Sequence, residues 1–156
     1  MKRIYVGLIA CALLFAITCV APVMSCEANY CKVNGGGQVY DEDIGDVTIA
    51  FHAQGPCTED TNGADSEVKG QVTIVYHDTK EKLKLDVEKI IWCLDGGYYT
   101  NAVLSLEDGY ALFVCDHGEG SKMVGDDHVC FANSQGDTIF CGILSGNAQV
   151  RLSEAT

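Results

Sequence analysis

Asp116, Glu119, Asp126 and Asp127 fall within one twelve-residue stretch, Asp-His-Gly-Glu-Gly-Ser-Lys-Met-Val-Gly-Asp-Asp. Their carboxylates are hard oxygen donors, and Gly118, Gly120 and Gly125 allow the sharp turns that a calcium loop needs. The spacing is not that of an EF-hand, so a bound cation, calcium first, competes with a merely solvated acidic loop. His117 and His128 flank the stretch. With Cys115 and Cys130 they would make a four-donor set of the kind that zinc takes. No serine stands in a Gly-x-Ser-x-Gly elbow, so a triad hydrolase has nothing specific behind it. Carboxylate pairs for glycoside chemistry need a set separation across a cleft, which spacing along a chain does not show. No residue is assigned a catalytic role.

The cysteines have to be read through their redox compartment. Lys2 and Arg3, the apolar run Ile4 to Val20 and the small residues before Cys26 read as a secretory signal peptide over residues 1–25. In an exported chain, Cys31, Cys57, Cys93, Cys115, Cys130 and Cys141 are disulfide candidates before they are metal ligands. Cys26 is the odd one out. Val23-Met24-Ser25-Cys26 resembles a bacterial lipobox, which makes Cys26 a candidate for lipidation and would leave six thiols for three bridges. A short Cys26–Cys31 loop and an intermolecular bridge are the alternatives.

Charge narrows the partners. Two of the ten basic residues, Lys2 and Arg3, lie in the signal segment, and none of the 22 acids do. The remainder sets 8 basic residues against 22 acids, a net charge of −14. That sign argues against nucleic acid or an anionic membrane surface as a partner. Contact with a membrane is expected only through a retained signal segment or a lipidated Cys26.

Alternation dominates the rest of the chain. Val47, Ile49 and Phe51 share one face of a strand, as do Val72, Ile74 and Tyr76 of the next. Lys82 to Trp92 is ambiguous: Leu83, Leu85, Val87 and Ile91 fit a strand, whereas Leu83, Val87, Ile90 and Ile91 fit a helical stripe. Strand is preferred because strands flank the segment on both sides. Asp95-Gly96-Gly97 and Asp108-Gly109 are hairpin-closing turns. Residues 26–34 read as a lead-in and Asn34 to Gly37 as a flexible break, with one domain over 35–156 beginning at a short strand, Gln38 to Tyr40.

About nine short antiparallel strands in meander order follow, all-β. A closed up-and-down barrel is favoured, with a two-sheet sandwich second. In the barrel, the first strand pairs with the last, Asn147 to Leu152, so that no edge stays open. Most aromatic residues are expected in the core, and Tyr98-Tyr99 could instead form an exposed lip. If Gln135-Gly136 is a two-residue hairpin loop, Cys130 faces Cys141 at a hydrogen-bonded site, with Cα atoms about 5.5 Å apart. Cys130 is therefore expected to be bridged, to Cys141 or to Cys115.

A resemblance rests on several short motifs in order: Gly35-Gly36-Gly37, Ile49-Ala50-Phe51, Val75-Tyr76-His77-Asp78 and Tyr110 to Asp116. The loop Asp116-His117-Gly118-Glu119-Gly120, ending at Asp127, and a terminal Gly146-Asn147-Ala148-Gln149-Val150 complete it. Together they resemble a family of small exported prokaryotic β-domains of unassigned function. Members of that family usually carry Asn where His117 stands and have fewer cysteines. The resemblance implies a β-domain and no particular chemistry. The expected function is an exported extracellular or cell-surface binding or structural module with an unknown partner. A small-ligand barrel and a secreted hydrolase are the alternatives.

Overall fold

The computed structural model describes residues 29–57, 68–95, 99–118 and 126–154. The signal segment, Cys26, the Gly96-Gly97 turn, Tyr98, Glu119 and most of the loop after Cys57 lie outside them. The strands are β1 (Asn29–Asp41), β2 (Gly45–Pro56), β3 (Lys69–Tyr76), β4 (Lys82–Asp95), β5 (Thr100–Leu106), β6 (Ala111–Asp116), β7 (His128–Ala132), β8 (Thr138–Ile143) and β9 (Ser145–Glu154). They form one antiparallel sheet in the order β8-β7-β6-β5-β4-β3-β2-β1-β9, curled into a nearly closed barrel. Among the described residues there is no α-helix.

Only Leu144 separates β8 from β9. The two make one bent strand, whose first half pairs with β7 and whose second half pairs with β1. This corner brings the sheet round on itself, and the first strand pairs with the last as expected, although β9 keeps an edge that no strand pairs. Inward side chains fill the interior: Phe131, Phe140, Ile49, Ile74, Ile90, Leu104, Leu106 and Leu112 are each at most 1 % exposed. The rings of Phe131 and Phe140 lie 5.5 Å apart, and Tyr110 stacks on Phe131 at 5.3 Å. Not every aromatic residue joins the core, since Tyr40 is 70 % exposed.

The expected lead-in and glycine break are corrected. Residues 29–34 are already strand, and β1 runs unbroken through Gly35, Gly36 and Gly37, paired on both sides. The glycines serve close approach rather than flexibility. A Cβ on Gly35 would lie 2.5 Å from the Phe51 ring and 2.6 Å from the Asn147 carbonyl oxygen. The Phe51 ring packs directly over the bare backbone. Gly35→Ala should cost about 2 kcal/mol through overpacking. Equilibrium unfolding of the variant checks this, and an unchanged midpoint would contradict the packing.

The helix-like stripe in Lys82 to Trp92 also has a physical cause. β4 is a strand, but bulges between Val87 and Lys89 and between Ile90 and Trp92 shift its parity against β5. Leu85, Val87, Ile90 and Cys93 therefore all face inward at unequal steps, while Ile91 is turned outward and 40 % exposed. Bulges of this kind mimic a helical period in sequence.

Two disulfides tie the sheet, Cys31–Cys93 and Cys130–Cys141. The turn beside the second differs from the two-residue loop expected. Asn133 N–H donates to the Asp137 carbonyl at 3.0 Å, and Gly136 N–H donates to the Asn133 carbonyl at 3.0 Å. The loop is thus Ser134-Gln135-Gly136, with Gly136 at φ +86°. The Asn133 side chain accepts from Gln135 N–H and Asp137 N–H. One extra loop residue would slip the register, but a bulge between Phe131 and Ala132 restores it. Cys130 still faces Cys141. Their Cα atoms are 4.1 Å apart, the close spacing of a non-hydrogen-bonded pair rather than the wider one expected.

Candidate functional site

Asp116 ends β6 and Asp127 precedes β7, so the sheet brings the two ends of the acidic loop together. Beside them runs the edge of β9 that faces away from β1. In an antiparallel ladder alternate N–H groups point to opposite sides. Those of Ala148 and Val150 point away from β1, into the gap toward β6. Both are met by carboxylates. Asp127 Oδ2 accepts from Ala148 N–H at 2.7 Å, and Asp116 Oδ2 accepts from Val150 N–H at 2.9 Å.

The remaining two oxygens fix the start of the loop. Asp127 Oδ1 accepts from His117 N–H at 2.9 Å, and Asp116 Oδ1 accepts from Gly118 N–H at 2.8 Å. The Asp127 carbonyl also accepts from Leu144 N–H, at the corner between β8 and β9, at 2.8 Å. All four carboxylate oxygens thus hold main-chain donors, in a role that requires no ion. Side chains here complete the ladder that a ninth strand pairing would otherwise supply. Asp126 is exposed, while Glu119, the fourth cation candidate, lies outside the described residues.

On the outer face, Cys115 stands opposite Asn101 of β5 and His128 of β7. Its Sγ lies 3.7 Å from His117 Nε2 and 3.8 Å from Nδ1. The His117 ring is 5.7 Å from that of His128 and 6.1 Å from Tyr99, itself 43 % exposed. The sulfur and histidines thus gather as the sequence suggested, but Cys130 is committed to Cys141 and the four-donor zinc set does not form. Among the described residues, no three His, Cys, Asp or Glu side chains are placed to hold a metal ion.

Cys57 and Cys115 belong to neither disulfide. Cys57 is packed into the core, bridging to Ile90, whereas Cys115 lies on the outer face. The third bridge expected from six thiols is therefore not among the two that form. Burial, then the charges of Asp127 and Asp116, pushes the Cys115 thiol above its ordinary range. The protonated form is favoured in the folded state. The resulting stability is complete below the ordinary thiol pKa and is lost as pH rises through the folded value. Alkylation of Cys115, followed by peptide mapping, should therefore need a higher pH in the folded protein than in the unfolded one. Equal pH profiles would contradict this.

A second feature, not foreseen from the sequence, lies on the other side of β9. Lys32, Asn34, His52, Ala53, Gln54 and Lys69 line a hollow of about 310 Å³ on the outer face of β1, β2 and β3. The only signal in the sequence is that Lys32 and Asn34, like His52 and Gln54, alternate with buried residues. Their assembly depends on a register that sequence does not supply.

Compared with known proteins, the chain matches no family model, no curated protein and no solved structure. The likeness to exported prokaryotic β-domains stays with the short motifs that suggested it.

Proposed function

We propose that the chain is an exported extracellular or cell-surface β-domain that works as a binding or structural module through its outer surface. The observation that carries this reading is the filled interior. Large inward side chains form one cluster there at almost no exposure, and a lipocalin-like ligand would need that space. The two disulfides support an oxidising compartment, where such bonds form and persist. The outward residues of β1 and β2 include Lys32, Asn34, His52 and Gln54, unlike the apolar band of a lipid-facing barrel wall.

The reading is tested by fractionating the producing cells and screening the purified domain against apolar small ligands. It predicts protein outside the cytoplasm with both disulfides intact, and no apolar ligand that raises the melting temperature while perturbing Phe51, Phe131 and Phe140. A reduced cytoplasmic protein would contradict the location. An interior ligand would favour the small-ligand barrel instead.

A further inference from the structure

From the outer face of β5 to β8 and the adjoining end of β4 we infer that this chain pairs with a second copy of itself, sheet face to sheet face. The inference rests on the reading of the domain as a module that works through its outer surface, and it gives that module a partner. Trp92 of β4 stands opposite Val103 of β5, Val103 opposite Phe113 of β6, Phe113 opposite Cys130 of β7, and Cys130 opposite Cys141 of β8. All five lie beside core residues in the chain and point out of the barrel, and none is buried. They form one apolar row across five neighbouring strands. Ile143 in the next row of β8 and Ile91 in the β4 bulge are both exposed beside it.

Sheet stability does not ask for this arrangement. The solvated face of an antiparallel sheet ordinarily carries polar residues. β2 and β3 of the same barrel follow that rule, with His52, Gln54, Gln71 and Thr73 outward. β5 to β8 do not. Their only acid is Asp116, which turns away to Val150 of β9, and His128 is their only basic residue. Single apolar residues on a surface are ordinary, whereas a contiguous apolar patch marks a contact.

Charge selects the occupant. The chain beyond the signal segment sets 8 basic residues against 22 acids, so two copies repel wherever their acidic surfaces meet. A two-fold axis sets the residues near it against their own counterparts, and a charged residue there would meet its like. This face supplies a centre without such residues. Phe113 lies on the middle strand of the five, so an axis through the centre of the row, in either in-plane direction, sets it against its own counterpart. A foreign partner of so acidic a protein would be steered by basic charge, and the row holds no acid to receive it.

Area sets the strength. Five strands about 4.8 Å apart and three rows about 6.7 Å apart cover at most roughly 480 Å². Two copies packed about 10 Å apart then remove about 1,000 Å² in all, the low end of specific interfaces. The dimer is weak and reversible, forming at roughly 0.1 mM and above. Its rim is mostly acidic. Asp108 in the β5–β6 turn, Asp137 in the β7–β8 turn and Asp126 before β7 are exposed, and Lys89 stands at the β4 margin. Repulsion across the rim reaches about 8 Å at physiological ionic strength and about 3 Å at 1 M, so salt tightens the dimer.

Sedimentation equilibrium of the folded, oxidised protein from about 10 µM to about 1 mM tests the inference. Trp92 is the only tryptophan, so its emission should move to the blue as concentration rises. Phe113→Lys should weaken association at least about tenfold, although it makes the chain less acidic, because two lysines then meet at the axis. Val103→Lys, one strand away, serves the same purpose should Phe113→Lys fail to fold. Thr73→Lys makes the same charge change on β3 and should not weaken association. A protein that stays monomeric at high salt and the highest concentration would overturn the inference, yet leave export and the filled interior standing on their own tests. A dimer that survives both lysine variants on the row would place the contact elsewhere and overturn the face. A monomer whose Trp92 emission moves only with phosphatidylcholine vesicles would give the face to a lipid surface and overturn the second copy.

Discussion

Replacing Cys31 and Cys93 together by alanine should remove about 4 kcal/mol of stability, the larger loss of the two disulfides. The bond closes a separation of 62 residues and joins β1 to β4, strands with two others between them in the sheet. Without it the unfolded chain regains the entropy of a long loop, and two buried sulfur atoms leave the core. The Cys130–Cys141 bond closes only 11 residues and joins neighbouring strands. Its removal should cost about 3 kcal/mol. Denaturant unfolding of the two double variants provides the comparison. Domains of this kind are stable by about 5–15 kcal/mol, so the first variant should be visibly marginal at physiological temperature. A larger loss from Cys130–Cys141 would contradict the assignment of the long-range tie.

Asp127→Ala should cost about 3 kcal/mol, because it strands two main-chain donors at once. The carboxylate is buried, at 9 % exposure, and holds Ala148 N–H on β9 and His117 N–H at the start of the acidic loop. Ala148 N–H is buried and is left without water to replace the acceptor, while His117 N–H is part-buried. Asp116→Ala should cost less, since Asp116 is only half-buried and Val150 N–H lies nearer the solvent. Equilibrium unfolding in the presence of a chelator separates this structural role from an ion-dependent one. A loss seen only with calcium present would place an ion, rather than hydrogen bonding, at the centre of the seam.

Much of the fold is visible in the residues because most strands bury one face. Val47, Ile49 and Phe51 mark β2 without ambiguity, and the same alternation places β3. β1 is hidden because three consecutive glycines remove the side chains that would show alternation, although Phe51 and the β9 backbone demand their absence. In β4 the bulges disguise the period. The Cys130–Cys141 pairing came out of a turn with the wrong length, since the extra loop residue and the bulge offset each other.

The candidate sites were legible only as donor and acceptor chemistry. Asp116 and Asp127 are acceptors, and an acceptor pair in a glycine-bearing loop suits a cation as well as it suits an N–H. What distinguishes the two is the position of β9, which reaches them from 21 to 34 residues away in the chain. The hollow is less accessible still, because Lys32, His52 and Lys69 line one surface only through two strand pairings.

Amide hydrogen exchange at Ala148 and Val150, in calcium-free buffer, tests most directly the claim that two carboxylates close this barrel. Neither N–H has a neighbouring strand to pair with, so an open edge would exchange within the range of exposed amides. Closure by Asp127 and Asp116 predicts protection of both comparable to the paired amides of β1, lost at Ala148 in Asp127→Ala. Rapid exchange at both positions in the unaltered protein would contradict it.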